Sequence, residues 1–356
     1  MFDTIALMKV AEELSRQTGI RAYPASIDRI LGAVQKSANF WSIVVLSGEP
    51  VPLVAVASKI LISAGLLKIT SDGIFLTTEG YAYCKFANIF PPVDNGCREC
   101  ASSGISLERY GDALAAFKEI VAARPSALAA YDQGFITAES TLRRIAVMDR
   151  LADLKGKDLL ALGDDDLVGI AAGLTALPAR VVVLEIDPRL VEFIRETARR
   201  YRLPVEVDTH DLRQPLPKHL VGVFDVVETD PPESASGYRL FIRRALAGLK
   251  GPRHAAYFGL TRAESSLDKW ALLQRFFLDQ RTVITDIIPD FNRYELWDYH
   301  ADTRAARLAP LPQAPDAPWY RSALIRVETI DGFSPLEVEN IAADDSIYHD
   351  NESSTT

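Results

Sequence analysis

After Arg326 the 356-residue chain has no lysine or arginine, while eight acids follow: Glu328, Asp331, Glu337, Glu339, Asp344, Asp345, Asp350 and Glu352. They account for nearly all of the formal net charge of −9 and leave about −1 for the rest of the chain. An acidic excess works against binding nucleic-acid phosphates and favours cationic partners. Such a tail reads in two ways. It is a solvated, disordered end, or its segment 337–350 is mobile without ligand and covers a cationic substrate, with Phe333 and Tyr348 packing over methylene chains. Cysteine is scarce as well: three residues, an odd number, argue against a disulfide framework and fit a reducing cytoplasm. No apolar run reaches the roughly 18–20 residues of a membrane span. The start "MFDTIALMKVAEELSRQ" has an early acid and lacks a basic-then-apolar pattern, so no signal peptide is predicted. A cytoplasmic protein without a membrane partner is expected.

Helical periodicity runs through residues 1–90 in "TIALMKVAEELSRQ", "SIDRILGAVQKS" and "VPLVAVASKILISAGLL". "LLKITSDGIFLTTEG" follows, two strand-like runs about Ser71, Asp72 and Gly73 that signal a hairpin. Three helices and a hairpin predict a winged-helix-like domain. Its reading helix offers only Lys59 to a phosphate, which favours packing or dimerisation over DNA binding; a homodimer is expected. Residues 91–150 read as a connector containing "GCREC", then helices broken near Pro125. Cys97 and Cys100 form half of a zinc site, which Cys84 and a second subunit together could complete. No metal is predicted.

Residues 151–326 alternate strand and helix: "KDLLAL", "ARVVVLEID", "PVEVDTHD", "VFDVVETD", "HAAYFGLT" and "RTVITDIIPDF". Continuous Val/Leu/Ile runs between helices predict an α/β fold with a buried parallel, Rossmann-like sheet. Such sheets bind ligands at the carboxyl ends of their strands. Unusual acids fall there. Glycine is missing where a nucleotide loop normally carries several: the first turn has Gly163 alone, then Asp164, Asp165 and Asp166. Glu185 ends the second strand about twenty residues later, the spacing of a ribose-binding carboxylate. Asp187, before Pro188, is the better helix cap. Asp211 follows the third strand, where adenosine-binding sheets often place an acid on the adenine amino group. The fourth ends in "DPPE", where Pro231 and Pro232 fix the turn and present Asp230 rigidly, beside Glu233.

A sheet with acids after strands two, three and four resembles the S-adenosylmethionine-dependent transferases, and "DPPE" is similar to the Asp/Asn-Pro-Pro-Tyr/Phe motif of amino-group methyltransferases. Three aspartates in the first turn repel the carboxylate of the methionine moiety. Decarboxylated S-adenosylmethionine has no carboxylate and two positive groups, so an acidic turn suits it. One charge pair at about 4 Å and an effective dielectric near 20 is worth roughly 4 kcal/mol before desolvation.

In order, "GDDD", "VLEIDPRL", "DLRQPLP", "DPPE" and "GLTRAESSLDKW" resemble the archaeal and thermophilic-bacterial branched-chain polyamine synthases, also called N(4)-bis(aminopropyl)spermidine synthases. The resemblance spans most of the chain. It implies aminopropyl transfer from decarboxylated S-adenosylmethionine, a co-substrate with no separate cofactor, to the secondary nitrogen of spermidine or another linear polyamine. A branched tertiary and then a quaternary amine form, with methylthioadenosine. It further implies that Gly163 and the three aspartates line the path, with Asp164 or Asp165 as base. Asp230 and Glu233 bind polyamine nitrogens, Glu185 holds the ribose and Asp211 the adenine. Two alternatives compete: an amino-directed methyltransferase on nucleic acid, which should carry an aromatic where Glu233 stands, and a non-catalytic polyamine sensor.

Overall fold

The computed structural model describes residues 4–93, 96, 97, 100, 103–335 and 347–355. The N-terminal bundle comprises α1 (Thr4–Thr18), α2 (Pro24–Lys36), α3 (Phe40–Ser47) and α4 (Val51–Ser63). The hairpin of β1 (Leu67–Thr70) and β2 (Gly73–Leu76) and the helix α5 (Thr78–Phe86) complete it. Caps start the helices: the Asn39 side chain accepts from the backbone N–H groups of Trp41 and Ser42, and Thr77 accepts from Gly80. Leu67 pairs with Leu76 and Thr70 with Gly73 across the turn. The winged-helix-like order has one helix more than the three expected, α3, and α4 is core rather than a surface for reading DNA. Val51, Leu53, Val54, Ala57 and Leu61 are buried, Val51 N–H donates to the Ala263 carbonyl at 2.8 Å, and Arg262 donates to the Gly48 carbonyl at 3.0 Å. No single described helix is long and apolar enough to cross a membrane.

The second unit runs through α6 (Gly111–Val121), α7 (Ala138–Arg150), β3 (Asp158–Leu162), α8 (Val168–Leu174), β4 (Arg180–Glu185), α9 (Pro188–Tyr201) and β5 (Val205–Thr209). It continues with β6 (Val226–Thr229), α10 (Ala235–Gly248), β7 (Ala255–Thr261), α11 (Leu267–Asp279), β8 (Thr282–Arg293), α12 (Arg304–Leu308) and β9 (Arg321–Thr329). The strands form one sheet in the order β5-β4-β3-β6-β7-β9-β8. β3 to β7 run parallel, while β9 is antiparallel to both neighbours. The chain winds outward from β3 in one direction and then from β6 in the other. Their carboxyl ends therefore open the crevice of a doubly wound fold.

Three expectations change here. Residues 91–150 are more than a connector: Phe117, Ile120, Leu142, Ile145 and Met148 share a core cluster with Leu159, Ala161 and Val183. The strand β9 crosses the boundary expected at 326, because it follows β8 without a long intervening helix and breaks the alternation that revealed the other strands. Finally, most of the segment 337–350 expected to be mobile lies outside the described residues, but 347–355 is packed rather than solvated. Ser234 Oγ donates to the Ile347 carbonyl at 2.6 Å, and Ser266 Oγ donates to Glu352 at 2.8 Å. Cys84 is buried in the helical core, Cys97 and Cys100 form no disulfide, and among the described residues no three His, Cys, Asp or Glu side chains are placed to hold a metal ion.

Candidate active site

The backbone leaves β3 through Gly163, whose φ of +62° favours glycine, and the three aspartates that follow then diverge. Asp164 is buried, and its two carboxylate oxygens accept from Val168 N–H at 2.5 Å and Gly169 N–H at 2.9 Å. It serves the first turn of α8 and does not line the cavity, which corrects its assignment as a candidate base. Asp166 also turns inward, accepting from Ile136 N–H at 2.8 Å and lying 3.3 Å from Arg144. Only Asp165 faces the cavity; its Oδ2 accepts from Gly134 N–H at 3.2 Å.

That cavity, about 770 Å³ including its open mouth, is lined by five acids: Asp132, Asp165, Glu185, Asp230 and Glu233. Seven aromatics share its walls, among them Tyr294, Trp297, Tyr299 and Tyr320, and no described lysine or arginine does. Pro231 and Pro232 form part of the lining, so the "DPPE" turn is where the sequence predicts it. Glu185 Oε1 accepts from the N–H groups of Ile186 and Asp187 at 2.8 Å each, fixing the carboxylate at the strand end. Asp187 caps α9 through Arg189 N–H, as expected. A smaller neighbouring pocket is walled by Leu184, Ile186, His210, Asp211, Leu240, Phe241 and Tyr348, a mostly apolar slot suited to a flat ring. Asp211 lines it while engaged with Arg213 at 2.7 Å. That hydrogen bond holds its carboxyl below the usual range.

Beneath the cavity floor lies a cluster that the sequence reading missed. Arg144, from α7, is fully buried. Its Nη1 donates to Glu228 at 2.6 Å, its Nη2 to Asp230 at 2.7 Å and its Nε to Asn292 at 2.8 Å. One guanidinium thus faces three acids, counting Asp166. Burial pushes the Glu228 carboxyl up to about 8, with Arg144 opposing and Asp230 adding to the rise. Asp166 is pushed up to about 6 by burial, again against Arg144. A signal for both existed: Arg144 is a charge within an apolar helix stripe, and Glu228 an acid inside an apolar strand. Asp132 gave none, being a loop residue held at φ 54° after a short 3₁₀ turn.

The acids at the cavity wall touch the open space but are ringed by protein. Burial first, then Asp166, Glu185 and Asp230, raise Asp165 well above the usual carboxylate range. Burial, Glu264, Asp132 and Asp230 do the same to Glu233, and burial, Glu264 and Asp230 to Asp132. The cavity therefore concentrates carboxyl groups that a cation would draw into their ionised form, with no described lysine or arginine on its walls to compete. Elongated cations with apolar spacers satisfy it: ammonium groups meet carboxylates and aromatic faces, and methylenes cover the rings.

Comparisons with known proteins point the same way. A family model described as the branched-chain polyamine synthase A C-terminal domain matches residues 112–355. The N(4)-bis(aminopropyl)spermidine synthase of Methanocaldococcus jannaschii is 45% identical over 350 residues, which is 98% of this chain and 99% of the relative. That of Thermus thermophilus is 41% identical over 326 residues, covering 91% and 93%. A crystal structure of the branched-chain polyamine synthase from Thermus thermophilus, in complex with N4-aminopropylspermidine and 5'-methylthioadenosine, superposes with a TM-score of 0.92 at 39% identity. The match covers 99% of this chain and all of that one.

Proposed function

The chain belongs to the branched-chain polyamine synthase family, and from that premise we propose how its own residues carry out the family's reaction. It is an aminopropyltransferase that moves aminopropyl groups from decarboxylated S-adenosylmethionine to the secondary amine of spermidine, forming N(4)-aminopropylspermidine, N(4)-bis(aminopropyl)spermidine and methylthioadenosine. The observation that carries the reading onto this site is the cavity with five lining acids, seven aromatics and no lining base.

The adenosine of the donor is assigned to the slot of His210, Asp211 and Phe241, with Glu185 on the ribose. This is supported by the slot's largely apolar walls and by Glu185 lining the larger cavity while its chain neighbours Leu184 and Ile186 line the slot. Gly163 lets the backbone pass close to the sulfonium. The acceptor is assigned to the acids of the larger cavity, Asp132, Asp165, Asp230 and Glu233, with the tyrosines along its methylenes. Asp165 is the proposed base: it is the one "GDDD" aspartate that lines the cavity, and its raised proton affinity is matched to taking a proton from an ammonium.

The step itself is an in-line displacement. The acceptor ammonium first gives its proton to the carboxylate. The nitrogen lone pair then attacks the propyl carbon next to sulfur. The carbon–sulfur bond breaks, its electron pair stays on sulfur as a neutral thioether, and the positive charge passes to nitrogen. After the first transfer the carboxyl passes its proton to solvent, and the new tertiary ammonium gives its own proton to the regenerated carboxylate. After the second, onto a tertiary nitrogen, the product is quaternary and has none to shed. What remains for the protein is orientation and charge. A homodimer, and other linear polyamines as acceptors, belong to the same reading. The test is mass spectrometry of the purified chain with spermidine and decarboxylated S-adenosylmethionine. A branched product with stoichiometric methylthioadenosine is expected; linear product or methyl transfer would overturn the reading.

A further inference from the structure

We propose that Arg144 is a positioning residue for the acceptor amine, acting through Asp230: it locks the Asp230 carboxylate and ties together the three strand ends that frame the cavity. This rests on the aminopropyltransferase reading. The geometry is specific. The guanidinium uses three separate nitrogens on three elements, reaching Glu228 and Asp230 at the end of β6, Asn292 near the end of β8, and Asp166 in the turn after β3. Asn292 is itself held, donating through Nδ2 to Ser322 Oγ at 2.8 Å.

Asp230 is fixed from every side. Its Oδ2 accepts from Arg144 and also from the Tyr294 hydroxyl at 2.6 Å. Its Oδ1 is buried without a hydrogen-bond partner, and it fills the space where a Cβ at residue 259 would stand, so the β7 strand requires glycine there. A carboxylate with one oxygen saturated and the other pressed on a glycine has a single rotamer. Its backbone, and with it the Pro231–Pro232 turn that lines the cavity, inherits that rigidity. Burying a guanidinium among acids is a poor route to stability, since well-packed apolar residues of similar volume often do as well or better. A specific geometric role accounts for its presence.

The experiment is a double-mutant cycle on the full chain with steady-state constants for donor and acceptor measured separately. Arg144→Lys keeps the charge but loses the fork. It should lower acceptor kcat/KM about 10–100-fold and leave donor KM within about twofold. Gly259→Ala displaces the same carboxylate without touching Arg144 and should give the same split, which covers the case that Arg144→Lys does not fold. In an Asp230→Asn background, each change should add less than about threefold. Effects that multiply in that background, or that fall equally on donor and acceptor, would overturn the positioning role, as would an unchanged acceptor constant in Gly259→Ala. A wild-type chain that makes no branched amine overturns the underlying reading, and this inference with it; an active wild type with a multiplicative cycle overturns this inference alone.

Discussion

Lys269 Nζ lies 2.9 Å from an Asp350 carboxylate oxygen and donates to the Glu233 backbone carbonyl at 2.9 Å. One ammonium thus joins the C-terminal segment to the "DPPE" turn. It also answers the charge count of the tail: the base missing from the last thirty residues is supplied by α11. Beyond it, Ser354 and Thr355 donate backbone and hydroxyl hydrogens to Glu264, and Thr355 reaches the cavity wall.

Lys269→Met should therefore loosen the terminal segment and leave Asp350 and Glu352 without their cation. Removing one partner of a buried pair costs about 3–5 kcal/mol. The melting temperature should drop by several degrees, and the Michaelis constant for spermidine should rise more than that for the donor. Equal constants in variant and wild type would detach the terminal segment from acceptor binding.

The "GDDD" aspartates should separate by assay. Asp165→Asn should cut turnover by about 10²–10⁴-fold at nearly unchanged stability, the usual scale for a base. Asp164→Asn weakens a helix-start interaction worth about 0.5–2 kcal/mol, so its loss should show in thermal unfolding and only secondarily in rate. If Asp164→Asn keeps its stability while losing turnover, the roles are exchanged.

Stability should decline as pH rises from about 4.5 to about 8. The Glu228 carboxyl sits at about 8 in the fold against an ordinary 4.5, so between those values the folded chain keeps a proton that the unfolded chain releases. Stability then falls as pH rises through the window, by at most about 1.4 kcal/mol per pH unit from this group. Asp166, raised to about 6, acts with the same sign at its lower end. Glu228→Gln should flatten the slope of chemical-denaturation midpoints between pH 5 and 8; a slope identical to wild type would remove Glu228 as its source.

The sheet was legible because β3, β4, β6 and β7 are buried almost throughout, and the helices after β4, β6 and β7 start at side-chain caps. The strand β9 was not, since it enters the sheet antiparallel and after an irregular stretch. Acids at strand ends were legible from their position in a parallel sheet. What position does not disclose is direction: Asp164, Asp165 and Asp166 are neighbours in sequence, yet a left-handed glycine and a helix start point only the middle one into the cavity. Arg144 left a mark, a charge in an apolar helix stripe, but on a helix outside the alternating pattern, while nothing local marks Asp132.

Donor choice follows from the same acids. S-adenosylmethionine would bring a carboxylate toward Asp165, while the decarboxylated donor brings only positive groups. Calorimetric titration with both should show tighter binding of the decarboxylated compound by at least about tenfold, or 1.4 kcal/mol, a fraction of one charge contact at an intermediate dielectric. Equal affinities would mean that the carboxylate finds room away from the turn.

Acceptor binding should release protons. Asp132, Asp165 and Glu233 all hold protons more tightly than ordinary carboxylates, because burial and their mutual proximity disfavour the charged forms. A docked polycation reverses that balance: each ammonium favours the ionised form of the carboxyl it faces, so the acids give up protons as the chain binds. Affinity for spermidine should accordingly rise with pH while the amine itself remains charged. Titration calorimetry at pH 7 in two buffers of different ionisation enthalpy reads the proton count directly. A net release of protons on binding spermidine is expected, diminished in Asp165→Asn. No dependence on the buffer would mean that the crevice is already ionised before the polyamine arrives, and that its acids, Asp165 included, are poised as plain counter-charges instead of proton acceptors.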